Sequence, residues 1–121
     1  MKTLATVRIA AHGDYSVASL SGEVDLTNAA GIETQLLDSI PNTARALIID
    51  LSKTTYLDSR GVQLLLGVVD RLHTRRQRVY LVVPEESVLR QLLGILSVTS
   101  ALGVEGTVDA AAERIRSDFP P

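Results

Sequence analysis

The sequence predicts an α/β domain. It should have a mixed, mostly parallel sheet of four to five strands and about four helices, in the order β-β-α-β-α-β-α-(β)-α. Three observations lead there. Stretches with strand-like patterning alternate with stretches whose apolar residues recur at helical spacing. The runs "ALIIDL" (46–51) and "VYLVV" (79–83) are apolar at nearly every position, which suits strands covered on both faces as in a parallel sheet. The length, 121 residues, fits one domain that buries roughly two-thirds of the surface of its unfolded chain.

The elements follow in order. Ala5, Val7 and Ile9 alternate with Thr6, Arg8 and Ala10, the two-residue period of a half-buried strand. "HGD" (12–14) is turn chemistry, and "YSVASLSGEV" (15–24) returns as a second strand, so the chain opens with a hairpin. Asp25–Asn28 offers helix caps, and Ala29, Ile32, Leu36 and Ile40 share one helical face until Pro41 stops the helix. After the strand at 46–51 comes a polar loop of about seven residues. A helix then starts near Ser59, with Val62, Leu65, Val69 and Leu72 inward and Arg71, Arg75, Arg76 and Arg78 near its end, where positive charge suits the helix dipole. The strand at 79–83 follows. Pro84, Glu85 and Glu86 read as a first helical turn, with Val88, Leu92 and Ile95 on one face. "ALGVEG" (101–106) holds a short strand around Val104. Thr107 caps a last helix with Val108, Ala111, Ala112 and Ile115 inward. The single domain covers 1–121, with its core at about 4–117 and a tail at 118–121.

Composition narrows the function. The net charge of −2 argues against direct nucleic-acid binding or attraction to acidic membranes. Without cysteine there is no disulfide, no thiol chemistry and no Cys-ligated metal. Arg8 interrupts the N-terminal apolar stretch before it could act as a signal peptide, and Leu64–Val69 is far below the ~18 apolar residues needed for a membrane span. A soluble, cytoplasmic protein is expected.

Enzyme chemistry finds little support. A nucleophile elbow around Ser59 would need Gly at position 57, which is Leu. His73 lies 14 residues beyond Ser59 (73 − 59), about 21 Å away if both share one helix, too far to act as its base. Only Lys2 and Lys53 are lysines, and no phosphate-cradling loop surrounds either. His12 and His73 have no metal-ligand spacing. No cofactor is expected, and the arginines at 71–78 read as a solvated helix end.

The informative stretch is "TTYLDSRGVQLLLGVV" (54–69). Asp58 or Ser59 could be a plain helix N-cap, because either side chain can accept a bond from an orphan backbone N–H. The wider pattern says more. "GEVDL" (22–26) closes the second strand, and "ALIIDLSKTTYLDSRGVQLL" (46–65) joins a buried strand to an Asp-Ser-x-Gly helix start. With the element order, this resembles the STAS domain, and more narrowly the single-domain bacterial anti-sigma factor antagonists, from about residue 4 to residue 117. The resemblance implies a STAS-like fold, and phosphorylation of Ser59 by a partner anti-sigma factor that is itself a serine kinase. It also implies a partner surface comprising Asp25, Asp58, Ser59, Arg60 and Gly61, and a PP2C-type phosphatase that resets the switch. Arg60 departs from the small residue usual between the Ser and Gly of that motif. Ser59 would then be a substrate, so no enzyme activity is expected. Two other readings fit the residues: a non-switching STAS module, as a scaffold subunit or accessory subunit of a transporter, and a ligand-binding domain using the helix start as an anion site.

Overall fold

The computed structural model describes residues 5–95 and 103–120. The elements are β1 (Thr6–His12), β2 (Tyr15–Val24), α1 (Ala29–Ser39), β3 (Ala46–Leu57), α2 (Ser59–Thr74), β4 (Arg78–Val82), α3 (Val88–Ile95), β5 (Gly103–Glu105) and α4 (Val108–Asp118). They form one five-stranded sheet in the order β1-β2-β3-β4-β5. The β1–β2 pair is antiparallel; the other three pairs are parallel. The expected mixed α/β architecture is the one observed.

Alternation along the strands builds two aliphatic layers. Ala18, Leu20, Leu47, Ile49, Leu51, Val79 and Leu81 join Ile32 and Leu36 of α1 and Leu65, Val68 and Leu72 of α2 in the larger core. Val17, Ala46, Ile48, Tyr80 and Val82 point the other way and meet Ala111, Ala112 and Ile115 of α4. Successive strand residues face opposite sides, so each buried strand serves both layers.

Four details differ from the sequence expectation. First, the polar stretch after "ALIIDL" is no loop, because β3 runs on to Leu57 beside β2. Its pairing has two irregularities, between Ser19 and Ser21 and between Gly22 and Glu23, and Gly22 takes a positive φ of 93° there. Thr54 Oγ1 donates to Leu20 O (2.7 Å), and Asp50 Oδ1 accepts from Ser52 N (3.0 Å). Bulged strands can carry polar residues whose side chains reach solvent or neighbouring backbone, so polarity alone misreads them.

Second, Pro84–Glu86 do not open α3. Ser87 Oγ donates to Pro84 O (2.8 Å) and accepts from Arg90 N (3.1 Å), so Ser87 starts the helix and Val88, expected inward, is 80 % exposed. The side chains of Leu92 and Ile95 lie outside the described residues, as do residue 4, where the core was expected to begin, and residues 101–102 of the last strand candidate.

Third, residues 118 and 119 are not a tail. Asp118 ends α4 and accepts from the Tyr80 hydroxyl (2.6 Å), and Phe119 packs on the smaller core with the guanidiniums of Arg45 and Arg78 at 5.7 and 5.4 Å from its ring centre. A lone aromatic before two prolines reads as a tail until a packing partner is visible.

Fourth, Asn28 holds the N-cap position of α1 without capping it. Its Oδ1 accepts from Asp25 N (2.9 Å) and its Nδ2 donates to Glu23 O (2.9 Å). Thr107 does cap α4, accepting from Ala110 N at 3.1 Å.

The end of α2 yields a stability prediction. Gln77 N donates to Leu72 O (2.8 Å) and Arg76 N to His73 O (2.9 Å), a paired closure that places Arg76 at φ 60°. A side chain in the left-handed region costs about 1–2 kcal/mol, and glycine avoids it at some loss of chain entropy. Arg76→Gly is therefore expected to raise stability by roughly 1 kcal/mol in urea unfolding. A lower midpoint would show that the arginine side chain contributes more than its strain costs.

Candidate functional site

The site lies where β2 and β3 end and α2 begins. Asp58 leaves β3 in an extended conformation (φ −89°, ψ −173°) and is the N-cap of α2, its Oδ1 accepting from Gly61 N at 3.0 Å. Its Oδ2 accepts from Leu26 N at 3.1 Å, and its own N–H donates to Val24 O at 3.2 Å. One carboxylate therefore satisfies an orphan donor of α2 and ties the β2–α1 turn to it.

Which of the two residues caps the helix is thereby settled: Asp58 does. Ser59 is the first residue of α2, is exposed, and its hydroxyl has no hydrogen-bond partner among the described residues. Arg60, the next residue, is also exposed and makes no ion pair among the described residues. Gly61 is buried against the strand ends. A Cβ there would come within 2.5 Å of Leu57 Cδ1, 2.8 Å of Leu57 Cγ and 3.3 Å of Val24 Cγ1. The glycine in Asp-Ser-x-Gly lets the helix start rest directly on β2 and β3.

Asp25 sits at the same end but faces inward, only 5 % exposed. Its Oδ1 accepts from Thr27 N (2.9 Å) and from Thr27 Oγ1 (2.6 Å), and its carbonyl accepts from Asn28 N (3.1 Å) and Ala29 N (2.9 Å). The structure thus brings all five predicted positions to one end of the sheet. Ser59 and Arg60 are displayed there, Asp58 and Asp25 hold the backbone, and Gly61 allows close approach.

Sequence reading passed over Leu26. It is 66 % exposed and borders a shallow cleft of about 240 Å³ between α1 and α2, lined also by Ala29, Ala30, Arg60, Gln63 and Leu64. The available signal was an apolar residue set between the turn formers Asp25 and Thr27-Asn28.

The histidines stand apart from this site. His12 stacks on Tyr15 (ring centres 5.4 Å apart) in the β1–β2 hairpin, at the opposite end of the strands from Ser59, and His73 lies in the last turn of α2. Among the described residues no three His, Asp or Glu side chains converge into a metal-binding group, and no helix is long and apolar enough to cross a membrane.

If Asp58 is the cap, Asp58→Ala should lower stability by about 1–2 kcal/mol, while Ser59→Ala should change it by less than about 0.5 kcal/mol. Denaturant unfolding of the two variants side by side measures this; equal losses would assign the capping role to both residues.

A small α/β domain displaying an unengaged hydroxyl at an Asp-capped helix tip is the class that fold and site define. The chain belongs to the STAS domain family, whose model matches residues 6–111. It is 28 % identical over 111 residues to the anti-sigma-F factor antagonist RsfB of Mycobacterium tuberculosis, covering 92 % of this chain and 89 % of that protein. It is similar to the crystal structure of an anti-sigma factor antagonist from Mycobacterium paratuberculosis, with TM-score 0.82, 25 % identity, and coverage of 93 % of this chain and 95 % of that one. The anti-sigma factor antagonist SpoIIAA of Bacillus, in its unphosphorylated form, shares the fold at TM-score 0.73 and 21 % identity, over 93 % of this chain and 97 % of that one.

Proposed function

We propose that this protein is an anti-sigma factor antagonist, switched by phosphorylation of Ser59. Unmodified, the surface around Ser59 binds an anti-sigma factor that is a serine kinase, and a sigma factor is released. Phosphorylated, the protein lets that partner go, and a PP2C-type phosphatase restores it. These events take place in the cytoplasm, and Ser59 is a substrate in them, so the protein itself catalyses nothing. The kinship to named antagonists over nearly the whole chain supports the partner class.

The observation that carries the switch is the division of labour at the helix start. Asp58 does the capping, which leaves the exposed Ser59 hydroxyl structurally unemployed. A phosphate there adds about −1.5 to −2 charges. It meets the positive end of α2, where the first N–H groups have no intrahelical acceptors, an environment worth about 0.3–1 kcal/mol to an anion. The modified domain therefore stays folded.

The penalty falls on the complex. Desolvating an ionised group against a partner without new hydrogen bonds costs several kcal/mol, and Asp58 adds charge of the same sign beside it. About 4 kcal/mol corresponds to roughly a thousandfold in affinity.

Incubation of the chain with the purified kinase and ATP, followed by peptide mass spectrometry, tests the assignment. A phosphate on Ser59, absent from Ser59→Ala, is expected. A phosphate only on another residue would overturn it.

A further inference from the structure

Strands β2 and β3 lie inside the sheet, where a mostly parallel architecture ordinarily covers both faces with apolar layers. On the α4 side the cover stops part-way. Val17 and Ile48 are register partners and are buried with α4 in the smaller core. Beyond them the same face turns polar. Arg8, Ser19 and Asp50 are partners across β1, β2 and β3, and Thr6, Ser21 and Lys53 form the next row. Partners across a ladder share a face, so the two rows make one patch, about 10 Å across the strands and about 7 Å along them. These six residues line a hollow of about 380 Å³.

A register irregularity builds the hollow. Ser19 and Ser21 are two residues apart on β2, whereas their partners Asp50 and Lys53 are three apart on β3. In an unbroken ladder Ser52 would oppose Ser21, and Lys53 would turn toward the aliphatic layer that holds Leu51. Bulges that re-aim one side chain are common beside functional sites. A face that meets only water has no need of one that turns a lysine toward an arginine.

The charges in the hollow are unengaged. Arg8 and Lys53 make no hydrogen bond or ion pair among the described residues, although Asp50 shares the space with them. Asp50 Oδ1 accepts from Ser52 N (3.0 Å), and its Oδ2 has no partner among the described residues. The Ser19 hydroxyl has none there either. Thr6 Oγ1 and Ser21 Oγ share one bond (2.5 Å), which uses one of their two protons and leaves the other to donate.

We infer that this hollow is a binding site for a small phosphate ester that also carries hydroxyl groups. Arg8 and Lys53 stand at opposite corners with the two serines between them, so a phosphate over Ser19 and Ser21 meets two cations and two hydroxyl donors. Asp50 gives the selectivity. An ionised carboxylate only accepts, so it repels a bare anion and favours a ligand that brings a hydroxyl to it. The inference does not rest on the function proposed above, because the sheet separates this hollow from the layer that holds α1 and α2.

The test is an amide-resolved NMR titration of the full chain with ribose 5-phosphate, glycerol 3-phosphate, inorganic phosphate and ribose. At least one of the two esters is expected to produce saturable shifts at Arg8, Ser19, Ser21 and Lys53. Inorganic phosphate should bind about tenfold more weakly, and ribose should not saturate. Arg8→Gln and Lys53→Gln should each weaken ester binding about tenfold, the loss of one charge-assisted contact. Asp50→Asn should bring the affinities for ester and inorganic phosphate within about threefold of each other. Arg71→Gln, an exposed arginine on α2, should bind like wild type, and all four variants should keep the wild-type thermal midpoint. Saturation by neither ester, shifts confined to the start of α2, or equal losses from Arg8→Gln and Arg71→Gln would overturn the assignment. An unchanged preference for ester over phosphate in Asp50→Asn would overturn the role given to Asp50.

Discussion

Ser59→Glu should weaken binding to the anti-sigma factor at least tenfold while leaving the thermal midpoint where it was. The expectation follows from where the residue stands. Ser59 is the first residue of α2 and is exposed, so a carboxylate there meets solvent and the positive helix end in the free protein. Acidic residues in a first helical turn are worth about 0.3–1 kcal/mol in favour of folding. In the proposed complex the same charge would be stripped of water beside the Asp58 carboxylate. Juxtaposed like charges at an interface cost several kcal/mol, of which about 1.4 already accounts for a tenfold loss. A carboxylate has one charge where a phosphate carries nearly two, so the substitution should fall short of the roughly thousandfold effect expected of phosphorylation. Titration calorimetry alongside a thermal melt reads both quantities. Wild-type affinity for Ser59→Glu would remove electrostatic exclusion as the mechanism.

Gly61→Ala should destabilise the protein, by about 1–3 kcal/mol. Helix propensity alone predicts the opposite, since alanine inside a helix is better than glycine by about 1 kcal/mol. The local contact decides the sign. The added carbon would lie 2.5 Å from Leu57 Cδ1 and 3.3 Å from Val24 Cγ1. Leu57 is only 3 % exposed and Val24 is fully buried, so neither can simply swing aside. Relief requires α2 to lift from the strand ends, and the lift would also strain the Asp58 bonds to Gly61 and Leu26. Partner affinity should fall with stability, because the same shift moves the start of α2 that carries Ser59. Urea unfolding measures the first effect; a stabilised Gly61→Ala would mean the helix start has room that the packing denies.

The fold was legible because its elements are marked by pattern rather than by composition. "ALIIDL" and "VYLVV" suit strands covered on both sides, and Val62, Leu65, Val69 and Leu72 mark which face of α2 is inward. What escaped was set by tertiary neighbours. Ser52–Tyr56 look like a loop because their side chains are polar, yet Lys53, Thr54 and Tyr56 pair with β2 across two irregularities. Glu85 and Glu86 favour a helix start, but the Ser87 hydroxyl takes Arg90 N and begins α3 later, turning Val88 outward.

At the site, the sequence located Ser59 and left its role divided between cap and modification target. The bond from Gly61 N to Asp58 assigns the cap to Asp58 and leaves the Ser59 hydroxyl without that duty. Leu26 was invisible as a surface feature because nothing local to "VDLTN" says whether its leucine turns into the core or away from it.

The central claim is that one covalent charge at Ser59 dissolves the complex and leaves the domain intact. The most direct measurement compares the dissociation constants of unmodified and fully Ser59-phosphorylated protein for the same anti-sigma factor, with thermal midpoints recorded on the same samples. Affinity about a thousandfold weaker at an unchanged midpoint is the predicted result. Equal affinities, or a loss of binding accompanied by unfolding of the phosphoprotein, would contradict it.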